Sequence, residues 1–238
     1  MTTLTSKFRG IRRGAFTLIE LLVVISIIAL VASMVVGLAG GSSAAKQRRL
    51  TESKLSKLTT AIDTYKLDKG HWPPVFKPYN TTNNGHYTSL FYELVGVTYT
   101  NIVNPPAPSR TLYYPEGIQP GMVFESDDLN HAFGVPGVAN FTEVGGRVNS
   151  YFDVSAEKDY AVSPNRHPVT GVVRPTKPVA LFQVGARHWT NALVTNYWNY
   201  RLQPDDGHNP NTYDLWAEIR GKKPGEADKV VIGNWNTK

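Results

Sequence analysis

Two hydrophobic patterns divide the first third of the chain. Residues 21–36 are apolar except for Ser26 and Ser33, and with the flanking Gly37 and Leu38 this run reaches the ~20 residues that an apolar membrane helix needs. Residues 44–67 contain neither Pro nor Gly. Within them Leu55, Leu58, Ile62 and Tyr65 recur at spacings of three and four among Lys, Ser, Thr and Asp, which is the single apolar stripe of an amphipathic helix. One helix over residues 16–67 would be about 78 Å long. Gly70, followed by Pro73 and Pro74, is predicted to end it. Gly37, Gly40 and Gly41 each weaken a helix by about 1 kcal/mol relative to Ala. A flexible or melted joint is expected there, ahead of a close GxxxG contact through Gly37 and Gly41.

Near the other end, residues 179–184, 197–202, 213–219 and 230–235 are short β-prone runs. They are separated by turn chemistry such as Asp205-Asp206-Gly207 and Lys223-Pro224-Gly225. They predict a small antiparallel sheet. A one-faced sheet and a one-striped helix each need a partner, so the sheet is expected to pack on Leu55, Leu58, Ile62 and Tyr65. Residues 75–196, with Asn104-Pro105-Pro106-Ala107-Pro108 and many Gly, read as an insertion of long loops with occasional strands. The fold class is α+β.

Charge adds direction to this picture. The 238 residues carry 25 Lys plus Arg against 19 Asp plus Glu, but Lys7, Arg9, Arg12 and Arg13 are the only charged side chains before Ala15. Taking those four away leaves 21 bases against 19 acids, so the basic excess belongs to the leader and nucleic-acid binding is not expected. Positive charge ahead of the apolar run holds that end in the cytoplasm and sends the rest of the chain across the membrane in a single pass. Enzyme chemistry finds little support. There is no Cys, no GxSxG, no P-loop and no GxGxxG after a strand. His71, His86, His131, His167, His188 and His208 lack metal-ligand spacing. Asp127-Asp128 and Asp205-Asp206-Gly207 read as turns.

Glu20 is the anomaly, since an ionisable group inside a hydrocarbon-length run costs a few kcal/mol unless it is paired, and so points to function. Its setting, Arg12-Arg13-Gly14-Ala15-Phe16-Thr17-Leu18-Ile19-Glu20-Leu21-Leu22-Val23-Val24-Ile25, resembles the processing site of type IV prepilins and type II secretion pseudopilins. The resemblance implies cleavage by a prepilin peptidase between Ala15 and Phe16 and N-methylation of Phe16. It also implies pairing of the Glu20 carboxylate with the N-terminal amine of a neighbouring subunit during assembly. Ala15 stands where the family commonly has Gly. A secretory signal peptide cut near residues 37–39 is the competing reading, and the acidic Glu20 counts against it.

Further along, Tyr65-Lys66-Leu67-Asp68-Lys69-Gly70-His71-Trp72-Pro73 is similar to the helix exit of major pseudopilins. So are Tyr197-Trp198-Asn199-Tyr200-Arg201, Tyr213-Asp214-Leu215-Trp216-Ala217 and Ile232-Gly233-Asn234-Trp235 near the end. The likeness implies a pilin-like organisation with a leader at 1–15, a transmembrane and filament-core helix at 16–41, and a periplasmic globular domain at 42–238. Residues 75–196 form its variable insertion. It implies a non-enzymatic subunit that polymerises with itself into a periplasmic pseudopilus driving type II secretion. Its implied partners are the prepilin peptidase, an inner-membrane assembly platform, minor pseudopilins and the membrane. A surface type IV pilin is the alternative, and a signal-anchored or secreted enzyme or binding domain a more distant one. The family's calcium loop corresponds to residues 220–229. Only Glu226 and Asp228 offer carboxylates there, beside Arg220, Lys222, Lys223 and Lys229, so the charge balance weighs against calcium.

Overall fold

The structure, a computed structural model, describes residues 17–75, 88–103, 109–118, 122–154, 158–166, 172–186, 188, 195–202, 207–221 and 229–235. The side chains of 35–43, 166 and 175–176 are excepted. Both N-terminal patterns lie on one element, helix α1 (Leu18–Lys69). Its backbone is helical at Gly37, Gly40 and Gly41, so the expected joint is not melted. Extending an existing hydrogen-bonded ladder is far easier than nucleating one, and three glycines do not interrupt it. The helix ends as predicted. Gly70 takes the left-handed conformation at φ 78°, and its N–H donates to the Lys66 carbonyl at 2.8 Å.

The chain divides between Ser43 and Ala44 into two compact units. In the first, the apolar side chains of Leu18, Ile19, Leu21, Leu22, Val23, Val24 and their successors to Met34 are all exposed. In the second, Leu55, Leu58, Ala61, Ile62 and Tyr65 are buried in the core, so the stripe seen in the sequence is the buried one.

Residues 75–196 hold more regular structure than the sequence suggests. Helix α2 (Leu90–Val95) is buried at all six positions and so shows no amphipathic period to detect. A four-stranded sheet follows, made of β1 (Val97–Ile102), β2 (Arg110–Pro115), β3 (Phe124–Glu125) and β4 (Phe141–Glu143). Its order is β3-β2-β1-β4, with β1 and β4 parallel and the other pairs antiparallel. Between β3 and β4 lies α3 (Ser126–Phe133). Asp127 and Asp128 stand in its first turn rather than in a loop turn, where a helix N-terminus favours carboxylates. The Asp128 carboxylate accepts the Glu125 N–H at 3.0 Å.

Two further strands of this region are β5 (Tyr160–Arg166) and β6 (Val173–Phe182), an antiparallel pair. The C-terminal part supplies β7 (Asn199–Leu202), β8 (Tyr213–Arg220) and β9 (Lys229–Gly233), antiparallel in the order β7-β8-β9. These match the predicted runs, and β6 extends the first of them toward its N-terminal side. A bridge between Gln183 and Tyr197 joins the two groups. There the Trp198 N–H donates to the Phe182 carbonyl at 3.0 Å and the Val184 N–H to the Asn196 carbonyl at 2.9 Å. Along β8, Tyr213, Leu215, Ala217 and Ile219 are buried while Trp216 and Glu218 are partly exposed, the period-two alternation of a half-buried strand.

Candidate functional site

At the start of α1 the sequence Thr17-Leu18-Ile19-Glu20 closes a capping box. The Glu20 carboxylate accepts the Thr17 backbone N–H and the Thr17 hydroxyl, both at 2.8 Å, while the Glu20 N–H donates to Thr17 Oγ1 at 3.3 Å. A helix leaves its first N–H groups without intrahelical acceptors, and this reciprocal pair supplies two of them. The carboxylate singled out in the sequence is therefore held by its own helix start. The Thr-x-x-Glu spacing is itself a capping signal in the sequence. Ala15 and Phe16 lie outside the described residues.

The apolar run that follows hides its two hydroxyls. Ser26 donates to the Leu22 carbonyl at 2.7 Å and Ser33 to the Leu30 carbonyl at 2.7 Å, so neither presents an unpaired polar group to apolar surroundings. Among the described residues no helix is long and apolar enough to cross a membrane. The described side chains of this run stop at Met34, and residues 35–43 continue it in sequence.

In the second unit the family-like segment at the helix exit meets the family-like segments near the C-terminus. Trp72 packs edge-on to Tyr213 at 4.9 Å, with Lys66 Nζ 3.9 Å from the Trp72 ring centroid. Tyr200 donates its hydroxyl to the Pro73 carbonyl at 3.1 Å, and Tyr213 donates to Asp63 at 3.3 Å. Asp68 accepts from the Tyr151 hydroxyl and from Asn149 Nδ2, which holds its carboxyl below the ordinary range. Burial and the Asp68 charge push the Tyr151 phenol up to about 12.

Sequence reasoning missed Glu93, whose signal was one carboxylate inside the otherwise apolar Leu90–Val95. It is fully buried. Its Oε1 accepts the Ala139 N–H at 2.8 Å, and its Oε2 accepts the Asn140 N–H at 3.0 Å and the Tyr65 hydroxyl at 2.9 Å. Asn140 Nδ2 donates to the Glu93 backbone carbonyl at 2.8 Å. Burial raises the Glu93 pKa and these donors oppose the rise. One side chain thus ties α1 and α2 to the segment before β4.

Glu226 and Asp228 lie outside the described residues. Among the described residues no group of three or more His, Asp or Glu could hold a metal ion. Asp214, the nearest buried carboxylate by sequence, is engaged by the His208 and Asn209 N–H groups, each at 2.9 Å. Two carboxylates set among Lys222, Lys223 and Lys229 are a poor donor set for a cation that takes six to eight oxygens.

Residues 11–36, which contain the Thr17–Glu20 box and most of the apolar run, match the family model described as the prokaryotic N-terminal methylation motif. The chain carries that motif. It is also similar to the type II secretion system core protein G of Escherichia coli (strain K12), with 40% identity over 81 residues, covering 34% of this chain and 48% of the relative. The corresponding protein of Pectobacterium carotovorum subsp. carotovorum is 39% identical over 64 residues, covering 27% of this chain and 41% of the relative. The chain spans just under half the length of the curated relatives it matches. No solved structure matches it.

Proposed function

We propose that this chain is a pseudopilin-like subunit. A prepilin peptidase processes it between Ala15 and Phe16, Phe16 is N-methylated, and the mature chain polymerises into a periplasmic pseudopilus that drives type II protein secretion. The observation that carries this reading is the methylation motif at residues 11–36, supported by ~40% identity to two type II secretion core G proteins. The α+β fold, with a long N-terminal helix and antiparallel sheets, agrees with it.

In this proposal the subunit waits in the inner membrane as a single-pass protein with its C-terminal domain in the periplasm. In that state the Glu20 carboxylate is satisfied by Thr17. On incorporation the carboxylate takes the Phe16 amine of a neighbouring subunit, because opposite charges attract strongly where water is excluded. The exposed apolar side chains of the first unit then cover one another in the filament centre. The assembly platform and minor pseudopilins complete the machinery, and the chain itself does no covalent chemistry.

Sequencing and mass measurement of the mature N-terminus test the reading. N-methylated Phe16 supports it, whereas a chain beginning near residue 39 or 40 identifies a cleaved secretory signal and overturns it. Deleting the gene for this chain should also stop release of a type II secretion substrate, and a plasmid copy should restore it.

A further inference from the structure

Beyond the apolar run the charge is one-sided. No Asp or Glu occurs between Glu20 and Glu52, while Lys46, Arg48 and Arg49 stand together just before Leu50. All three cations are exposed, and so is Leu50, at 61%. Lys46 and Arg49 lie three residues apart on α1 and share a face with Ser53, which is also exposed. The buried positions Thr51, Leu55 and Leu58 take the opposite side of the helix. Arg48 pairs with Glu52 at 2.8 Å, an exposed contact of a weak kind that leaves the guanidinium open to a stronger partner.

Position decides what this cluster meets. Lys46 follows Leu38 by eight residues, about 12 Å as helix and at most about 28 Å fully extended, so the surface that the apolar run enters is the first one within its reach. The headgroup layer of a bilayer extends several ångströms beyond each face of the hydrocarbon. Helical side chains tilt toward the helix N-terminus, which for Lys46 and Arg49 is back toward the run. Their apolar stems lie along the upper acyl region and carry the charged ends to the level of the phosphates. Lys and Arg close to a span also bias which side stays cytoplasmic. These three oppose the four of the leader, Lys7, Arg9, Arg12 and Arg13, and so weaken the orientation signal, a cost that a neutral segment would not carry.

We propose that Lys46, Arg48 and Arg49 form a collar that holds the acidic headgroups of phospholipids on the far face of the membrane. The proposal rests on reading the apolar run as a membrane span with the C-terminal domain in the periplasm. Under that reading, processing between Ala15 and Phe16 removes the four leader cations, and the Lys and Arg residues within about a dozen positions of the run are then found on the far side alone. The mature subunit is gripped electrostatically from the side toward which it leaves for the filament. Each cation close to an anionic surface strengthens association about fivefold, an attraction that added salt screens.

The chain has no cysteine, so a single introduced thiol carries a label without interference. The full chain with a fluorophore at Ser53→Cys is placed in nanodiscs of phosphatidylcholine alone, or of phosphatidylcholine with an equal part of phosphatidylglycerol. Both are doped with lipid bearing a nitroxide quencher on its headgroup. Quenching should be at least about twofold stronger in the anionic discs, and the excess should vanish at ~1 M salt. It should also vanish in the Lys46→Gln, Arg48→Gln, Arg49→Gln chain and persist in the charge-preserving Lys46→Arg, Arg48→Lys, Arg49→Lys chain. Equal quenching in the two discs, or loss of the excess in the charge-preserving chain, overturns the collar. A second label at Ser26→Cys distinguishes this from failure of the underlying reading. Protection of that label from aqueous iodide places the run in the bilayer, whereas ready quenching removes the membrane span and the collar with it. Disulfide dimers of the unlabelled Ser53→Cys chain that form equally in both discs would show that a second copy covers this face, and would overturn the proposal.

Discussion

Glu93 gives the sharpest quantitative test of how the second unit is held together. Replacing it with Ala leaves three donors without their acceptor: the Ala139 and Asn140 N–H groups and the Tyr65 hydroxyl. Each buried unsatisfied group costs about 1–3 kcal/mol, and removing one partner from a buried charged network costs about 3–5 kcal/mol in total. Against a native stability of about 5–15 kcal/mol, Glu93→Ala should forfeit a fifth or more. Glu93→Gln keeps one acceptor oxygen but points an NH₂ at a donor. It should cost about 1–3 kcal/mol, partly offset because no charge is buried. The pH dependence separates the two effects. Burial raises the Glu93 pKa in the folded state above its unfolded value, so its contribution to stability is fully present below the unfolded pKa and is lost as pH rises through the folded one. The wild type should therefore lose stability relative to Glu93→Gln as pH climbs from the ordinary glutamate range toward neutrality. Urea unfolding followed by tryptophan fluorescence at a series of pH values measures both quantities. A Glu93→Ala cost below about 1 kcal/mol, or parallel pH profiles for wild type and Glu93→Gln, would refute the reasoning.

Other outcomes follow from the remaining elements. Glu20→Val should still insert and lose its leader but fail to enter filaments, as measured by shearing or pull-down from cells; normal filament yield would contradict the assigned role. A chain starting at Ala44 should fold as a soluble α+β domain, whereas one starting after Gly70 loses Leu55, Leu58, Ile62 and Tyr65 from its core and should give no cooperative calorimetric transition, since several kcal/mol of burial go with them. Gly70→Ala should cost about 1 kcal/mol through its left-handed backbone alone, as nothing stands within 4 Å of the added methyl; Gly96→Ala should cost clearly more in the same melts, because its Cβ would collide with Val148. Chelation of calcium should leave the melting temperature unchanged, whereas a loss of ~2–3 kcal/mol that calcium restores and magnesium does not would reveal an occupied site at Glu226 and Asp228.

What the sequence disclosed follows from where periodicity survives. The stripe of Leu55, Leu58, Ile62 and Tyr65 has a solvent face to contrast with, so it was legible, as were β8 and its neighbours. Helix α2 has no exposed face, and β1 and β2 carry Thr, Tyr and Asn at positions of mixed burial, so the middle region read as loops. Glycine propensity favoured a break at residues 37–41, but cooperative extension of α1 prevailed. Glu20 stood out because a charge in an apolar run is conspicuous. Its partner Thr17 did not, because a hydroxyl one turn away looks ordinary until the box is drawn.

The bridge at Gln183 and Tyr197 changes how residues 75–196 should be regarded. A segment that reads as an insertion of loops invites treatment as a cassette, to be exchanged between subunits. Here β5 and β6 lie inside residues 75–196, yet β6 runs on through that bridge to the edge of the C-terminal sheet, and α2 supplies Leu90, Phe91, Tyr92, Leu94 and Val95 to the common core. Excising the whole block would strip Tyr197 and Trp198, just before β7, of their bridge to β6 and leave Tyr65 without its buried acceptor. A chimera has better prospects if its junctions spare α2 and the β5–β6 pair and exchange only the four-stranded sheet and α3. Any such graft must also keep Asn140, because that residue carries the seam back to Glu93.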